Sequence, residues 1–226
     1  MAHRQFHLQP AHRAQRLSFA EGYSRWTADD WCHVLFADEK LFWGEGHSGR
    51  VFVRRPDGSE NDEQYWVQKK PHPVSVPAWA CFSARGPGYM AIYEGSADAK
   101  RMATFYRDYL IPSAREHFGE GVRTWWLLHD NDSRHLSPAV RKVLHDNGIT
   151  ALDFPPYSPD LNPIENLWTD VQNRMQGKPA STRDELEESL QEAWAETKPE
   201  YCEKLARSMP TRIAAVIERQ GAYTDY

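Results

Sequence analysis

The sequence predicts an α/β fold, a mixed sheet with helices packed on it. Three observations carry that expectation: short apolar runs of strand character come first, strand and helix patterns then alternate, and the chain closes in amphipathic segments of helical period. At 226 residues the chain has the size of one domain, or of one domain with a small appendage. Such a chain buries roughly 70 to 75 % of its extended surface.

Arg13 to Asp30 (RAQRLSFAEGYSRWTADD) reads as a helical segment ending at a turn, with Leu17 and Phe19 as its apolar anchors. HVLFADEKLFWGEG reads as two strands meeting at Asp38 and Glu39 and stopped by Gly44 and Gly46. RVFVR (50–54) alternates like a third strand, and the polar stretch from Pro56 to Lys70, followed by prolines on either side of His72, reads as a long exposed loop. VSVPAWACFSARGPGYMAIYEG supplies a further strand or strand pair turning around Gly86, Pro87 and Gly88, although Pro77 near its start sits poorly in a central strand.

From Asp98 to Phe118 the period becomes helical, with Met102, Phe105, Tyr106, Tyr109 and Leu110 on one face, and Pro112 is expected to kink or divide the segment. TWWLLHDND is a continuous apolar run ending in charge, the pattern of a strand buried on both faces. Ser137 and Pro138 suit the N-cap and first turn of a helix over AVRKVLHD, with Asn147 and Gly148 as its stop. ITALDF reads as a short strand, PPYSPDLNP as a rigid loop, and IENLWTDVQNRMQG as a helix begun by Asn162 and Pro163. From Ser181 onward the pattern is that of two or three amphipathic helices.

Composition narrows the function. The apolar, charged and aromatic shares of 40, 26 and 12 % are those of a globular protein, and no apolar run approaches the ~20 residues of a membrane helix. The N-terminus is basic and rich in histidine but lacks the apolar stretch of a secretory signal, so secretion is not expected. Cys32, Cys81 and Cys202 are odd in number and widely spaced, which argues against a disulfide framework or a cysteine zinc site and for a reducing compartment. A net charge of -5 stands against a nucleic-acid binder, whose affinity comes largely from Lys and Arg on phosphates. The objection weakens if the acidic residues cluster around metal ions that reverse the local charge, or if the main DNA-binding element lies outside this chain.

Asp38 follows the apolar run VLFA, and Asp130 follows WWLLH. Strand ends in α/β sheets are where functional side chains collect, because the strands fix their positions. Glu165 comes 35 positions after Asp130, in the first turn of the helix begun at Asn162. Carboxylates gathered from separate segments repel unless cations neutralise them, and a metal pair ~3.5 to 4 Å apart is a common resolution in phosphoryl transfer. Oxygen ligands point to magnesium or manganese rather than zinc. Each residue also has a plainer reading. An Asp after a strand is often a turn residue, and Asn162-Pro163-Ile164-Glu165 has the form of a capping box.

Taken together, VLFADEKLFWG, LLHDNDSRH and FPPYSPDLNPIENLW resemble the catalytic core of the Tc/mariner superfamily of transposases. The 34 residues between Asp130 and Glu165 are similar to the Asp-Asp-Glu arrangement of its Tc-like branch; mariner elements proper have Asp in the third place. RLSFAEGYSRWTADDW, VPAWACFSARGPG and SMPTRIAAVIERQGAYTDY resemble flanking family segments, so the likeness covers nearly the whole chain. It implies an RNase H-like mixed sheet with flanking helices and two Mg2+ or Mn2+ ions as cofactor. Asp38 and Asp130 would hold both ions and Glu165 one. The implied reaction hydrolyses a phosphodiester at a transposon end, and the freed 3'-hydroxyl then attacks target DNA, usually at TA. A homo-oligomer on DNA is implied, with no membrane partner, acting in the nucleus if the source is eukaryotic and otherwise in the cytoplasm. On this reading residues 1–30 are an N-terminal arm and helix, 31–180 the catalytic core, and 181–226 helices packed on it.

Two departures stand out. His129 occupies a position where relatives often have Gln, and PHPVSVPAWAC replaces a commonly Gly-rich approach to the central strand. Relatives also carry a paired helix-turn-helix region ahead of this core, so specific recognition of terminal repeats is not expected of this chain alone. Further candidates are Asn131 and His135, to support the metal ligands or contact DNA, with a structural hydrogen bond as the plainer reading. Glu39 should face away from Asp38 by strand alternation and be solvated or ion-paired. Lys69, Lys70, Arg85 and Arg134 are candidates for phosphate contacts or ordinary surface, and Tyr157 for base stacking or gap filling. Trp125, Trp126 and Trp168 read as core. His3, His7 and His12 are spaced too loosely for a metal site and read as a floppy arm. Two alternatives compete with an active transposase: a truncated or domesticated relic that binds DNA without turnover, and a nuclease that cuts without strand transfer.

Overall fold

The computed structural model describes residues 7–44, 62, 74–119, 125–176, 178 and 180–226. The expected strand over 50–54, the loop from Pro56 to Lys70 apart from Asp62, and His3 lie outside the described residues. The sheet has five strands in the order β3-β2-β1-β4-β5. They are β1 (Val34–Trp43), β2 (Ser75–Ser83), β3 (Gly86–Ile92), β4 (Trp126–Leu128) and β5 (Thr150–Ala151). β1, β2 and β3 are antiparallel neighbours, whereas β4 and β5 run parallel to β1.

Strand alternation sorts β1 onto two cores. Val34 and Phe36 join a cluster with Trp31, Leu128, Ile164, Trp168 and Leu190, while Leu35 and Ala37 join Trp79, Met102, Tyr106, Leu110, Leu127 and Val140 on the other face. The first face is covered by α1 (Pro10–Gly22), α2 (Ala28–Trp31), α6 (Ile164–Met175), α7 (Arg183–Ala195), α8 (Pro199–Arg207) and α9 (Met209–Glu218). The second carries α3 (Ala99–Phe105), a π-helical turn (Tyr106–Leu110), α4 (Ile111–Phe118) and α5 (Pro138–Asp146). Trp168 is fully buried, but Trp125 and Trp126 are only half-buried against these clusters.

Several expectations need correction. The region around Asp38 and Glu39 is not two strands but one unbroken ladder against β2, paired from Phe36↔Phe82 to Trp43↔Ser75. Pro77 lies inside β2 opposite Leu41 and still offers its carbonyl to Tyr93 N–H at 3.1 Å. Pro112 divides the segment, as expected, but without ending it: Tyr106–Leu110 widen into the π-helical turn and α4 follows from Ile111, an adjustment that accommodates the N–H a proline lacks. The strand in ITALDF is limited to Thr150–Ala151. The segment read as a floppy arm is helical from Pro10. As expected, Ser137 caps α5 through Val140 N–H, and Gly148 follows it in the left-handed region at φ 63°.

Candidate active site

The parallel pairing of β1 with β4 runs only from Val34↔Trp126 to Phe36↔Leu128. Continued along both strands, that register brings Asp38 level with Asp130, just past the point where the ladder opens. Asp38 therefore sits mid-strand with respect to β2, opposite Ala80, and at a strand end with respect to β4. The loop after β5 and the start of α6 close the other side. Asp38, Asp130, Asn131, Asp132, the segment Phe154–Pro159, Asn162 and Glu165 line one cleft of ≈ 470 Å³, a volume within the range of ligand sites.

Each carboxylate is held differently. Asp38 Oδ1 accepts from Glu39 N–H at 2.7 Å and Oδ2 from Asn162 Nδ2 at 3.2 Å. Burial, followed by the charges of Glu165 and Asp130, pushes its carboxyl well above the ordinary value. Asp130 Oδ1 accepts from Asp132 N–H at 3.1 Å, and burial raises this carboxyl also. The side chain of Glu165 is 38 % exposed, with Lys40 Nζ 3.8 Å from its carboxylate. The capping box does not form: α6 has no side-chain cap, and Asn162 donates its amide to Asp38 while its Oδ1 accepts from Ile164 N–H at 3.5 Å. Among the described residues, no three His, Cys, Asp or Glu side chains lie close enough to hold an ion as they stand. The three carboxylates share an open cleft with Asp132, Asn131, Asn162, Tyr157 and Ser158, a polar lining rich in oxygen donors that fits a hard divalent ion.

The further candidates separate. Asn131 lines the cleft and donates its side-chain amide to Phe154 O. Tyr157 lines it too, in the left-handed region at φ 52° with its ring 4.5 Å from that of His12. Arg134 does not line it; the guanidinium is folded back onto Asp132 at 2.7 Å and Glu39 at 3.1 Å. Asp132 is held down to about 2 by that hydrogen bond. Arg85 is in the β2–β3 turn, outside the cleft lining, and Lys69 and Lys70 lie outside the described residues. His135 is buried behind Asp130, with Nε2 3.3 Å from Asp130 Oδ1 and 3.1 Å from Glu39 Oε2. Glu39 faces away from Asp38 as alternation requires and is ion-paired rather than solvated. His129 is buried, and burial with the neighbouring His135 depresses its imidazole to about 4. Asn162, Lys40 and Tyr106 were not singled out as site residues from sequence. Asn162 and Lys40 carried a signal, their places in the LNPIEN and VLFADEKLFWG text, whereas Tyr106 was read only as part of a helix face.

The sequence model of the DDE superfamily endonucleases matches residues 33–187, a span that contains all three carboxylates. This chain belongs to that family. The transposase of the Caenorhabditis elegans transposable element Tc1 is 33 % identical over 215 residues, covering 95 % of this chain and 78 % of that protein. This DDE endonuclease is therefore one of the Tc1-like transposases, and the resemblance seen in the motifs holds over nearly its whole length. Among solved structures, the Mos1 mariner paired end complex with Mn aligns with a TM-score of 0.83 at 17 % identity, covering 100 % of this chain and 67 % of that one. The catalytic domain of Mos1 mariner transposase aligns with a TM-score of 0.75 at 18 % identity, covering 98 and 99 % of the two chains. At such identity the likeness speaks for the fold, which is the expected RNase H-like mixed sheet with flanking helices.

Proposed function

We propose that Asp38, Asp130 and Glu165 are the catalytic residues of this transposase and together hold two Mg2+ or Mn2+ ions during DNA cleavage and strand transfer. The observation that carries the reading is their placement on one cleft, with Asp38 made costly to ionise by burial and by the other two carboxylates. Cations remove that cost. The Mos1 catalytic domain has been solved with Mn and with Mg, which supports the choice of metal. When bound, such ions supply activation of the attacking oxygen and neutralisation of the leaving one.

The chain's own residues do the rest. β1 and β4 fix the two aspartates side by side, and the donors on Asp38 and Asp130 restrain each carboxylate. Glu165 rides on the first turn of α6, whose start is packed into the core through Ile164 and Leu167. Lys40, against Glu165, is a cation at the edge of the site, placed to meet a DNA phosphate when a metal takes its carboxylate partner. The substrates in this reading are transposon ends and a target, with TA as the insertion dinucleotide. The active species is a homo-oligomer on DNA, and the nematode source of the Tc1 relative supports action in the nucleus. No helix among the described residues is long and apolar enough to cross a membrane.

We keep the division into an arm (1–30), a catalytic core (31–180) and C-terminal helices (181–226) as organisation within one folding unit, since Phe19, Phe36, Trp168 and Leu190 share a single cluster. Plasmid nicking in manganese tests the functional reading. Wild type should nick, and Asp130→Ala should lose at least a hundred-fold in rate, about 2.7 kcal/mol of barrier. Two proteins that fail equally, and bind DNA equally, would mark the chain as a non-catalytic relic.

A further inference from the structure

We propose that the hydroxyl of Tyr106 is a positioning group for DNA cleavage, acting through His135 to fix which oxygen of Asp130 is presented to the cleft. The inference rests on the reading of Asp130 as a metal ligand. Tyr106 opens the π-helical turn and is fully buried, its ring 5.9 Å from that of Trp79 and 6.1 Å from that of His129. Its Oη lies 2.7 Å from His135 Nδ1. The opposite ring nitrogen, Nε2, faces two carboxylates, Glu39 at 3.1 Å and Asp130 Oδ1 at 3.3 Å. A carboxylate oxygen offers only lone pairs, so Nε2 donates its proton to Glu39 Oε2, with Asp130 Oδ1 in electrostatic contact beside it, and in this tautomer Nδ1 is left to accept the Tyr106 O–H.

A phenylalanine would fill the same space. The phenol is buried at a desolvation cost that its bond to His135 offsets, so the hydroxyl's contribution is to orient the imidazole. Glu39 is in turn ion-paired with Arg134 at 3.1 Å, which biases where its carboxylate sits beside His135. The consequence falls on one atom. Asp130 Oδ1 accepts from Asp132 N–H and lies against the edge of the His135 ring, 3.3 Å from Nε2, whereas among the described residues no hydrogen bond engages Oδ2. One oxygen anchors the carboxylate and the other is left for the cleft. Partners of this kind, one step behind a ligand, typically set metal affinity by 10- to 100-fold.

The test is calorimetric Mn2+ titration of the whole chain and its variants, with thermal unfolding recorded on each. Tyr106→Phe should weaken Mn2+ binding roughly ten-fold while keeping the cooperative unfolding of wild type. In a His135→Ala background the same substitution should have no further effect, which a purely packing role for Tyr106 would not produce. Plasmid nicking by Tyr106→Phe should show a reduced rate with unchanged KM for DNA. Wild-type Mn2+ affinity in Tyr106→Phe, where Asp130→Ala has lost binding, overturns the inference and leaves the triad standing. An equal loss from Tyr106→Phe with and without His135 also overturns it. Wild-type Mn2+ affinity in Asp130→Ala would remove the triad itself, and this inference with it.

Discussion

Asp160 is the residue on which the two ends of the chain converge. Its carboxylate forms a two-pronged pair with Arg16 at 2.8 and 2.7 Å and accepts from Thr224 N–H and Oγ1, both at 2.9 Å. Its carbonyl accepts from Arg212 at 2.7 Å. Arg16 also reaches Gly221 O at 2.9 Å, and at φ 78° a Cβ on Gly221 would fall 2.1 Å from Arg13 O, so this approach requires glycine. The loop that lines the cleft is thus rigid for two reasons, its prolines and a buried clasp. Arg16→Ala leaves the buried Asp160 charge short of its partner, and we expect a loss of about 3 to 5 kcal/mol in urea unfolding; a loss below about 1 kcal/mol would mean the clasp is slack. The prolines were legible in the sequence, but the clasp was not, because its members lie 52 to 205 positions apart. Asp38, Asp130 and Glu165 were legible for the opposite reason. Each is embedded in a distinctive local stretch, whereas the links Tyr106 to His135 and Lys40 to Glu165 exist only in three dimensions.

At the scale of elements, local signals served well where the cause is local. Ser137-Pro138 and Asn147-Gly148 marked the two ends of α5 because capping and left-handed geometry act within a turn. Ser137→Ala removes the bond to Val140 N–H at 3.3 Å, and a loss of about 1 kcal/mol in thermal unfolding is expected. An unchanged midpoint would show that Pro138 alone starts the helix. The unbroken β1 was misread because Asp38 and Glu39 interrupt its apolar pattern. The strand tolerates them because β4 has ended by that level, which leaves Asp38 an open edge, and because Glu39 meets Arg134 and His135 on the other face. The interruption that resembled a strand break was the site itself. The π-helical turn before Pro112 was equally hidden, since a proline signals disturbance without saying how the helix absorbs it.

For the whole molecule, the carboxylate cleft is a cost carried by the fold. The folded pKa values of Asp38 and Asp130 are raised, so the native state retains protons that the unfolded chain releases. These two groups therefore reduce the stability of the ion-free chain as pH rises through and above the ordinary carboxylate range. His129 acts in the opposite sense. With its folded pKa depressed to about 4, it withdraws stability as pH falls below the ordinary histidine value. Saturating Mn2+ should cancel the carboxylate penalty. At a hundred-fold excess over Kd the gain is about 2.7 kcal/mol, or roughly 5 to 11 °C in melting temperature. The increment should be present near neutral pH and fade as pH falls into the ordinary carboxylate range, where Asp38 and Asp130, raised above it, hold protons in the folded state. An increment independent of pH would place the ion elsewhere on the surface.

The most direct test of the account is an anomalous difference map from a crystal of this chain soaked in manganese. The account predicts Mn2+ density in the cleft, with oxygens of both Asp38 and Asp130 as ligands and Glu165 turned from Lys40 toward the ion. Strong manganese peaks elsewhere, with the cleft empty at the same concentration, would contradict it.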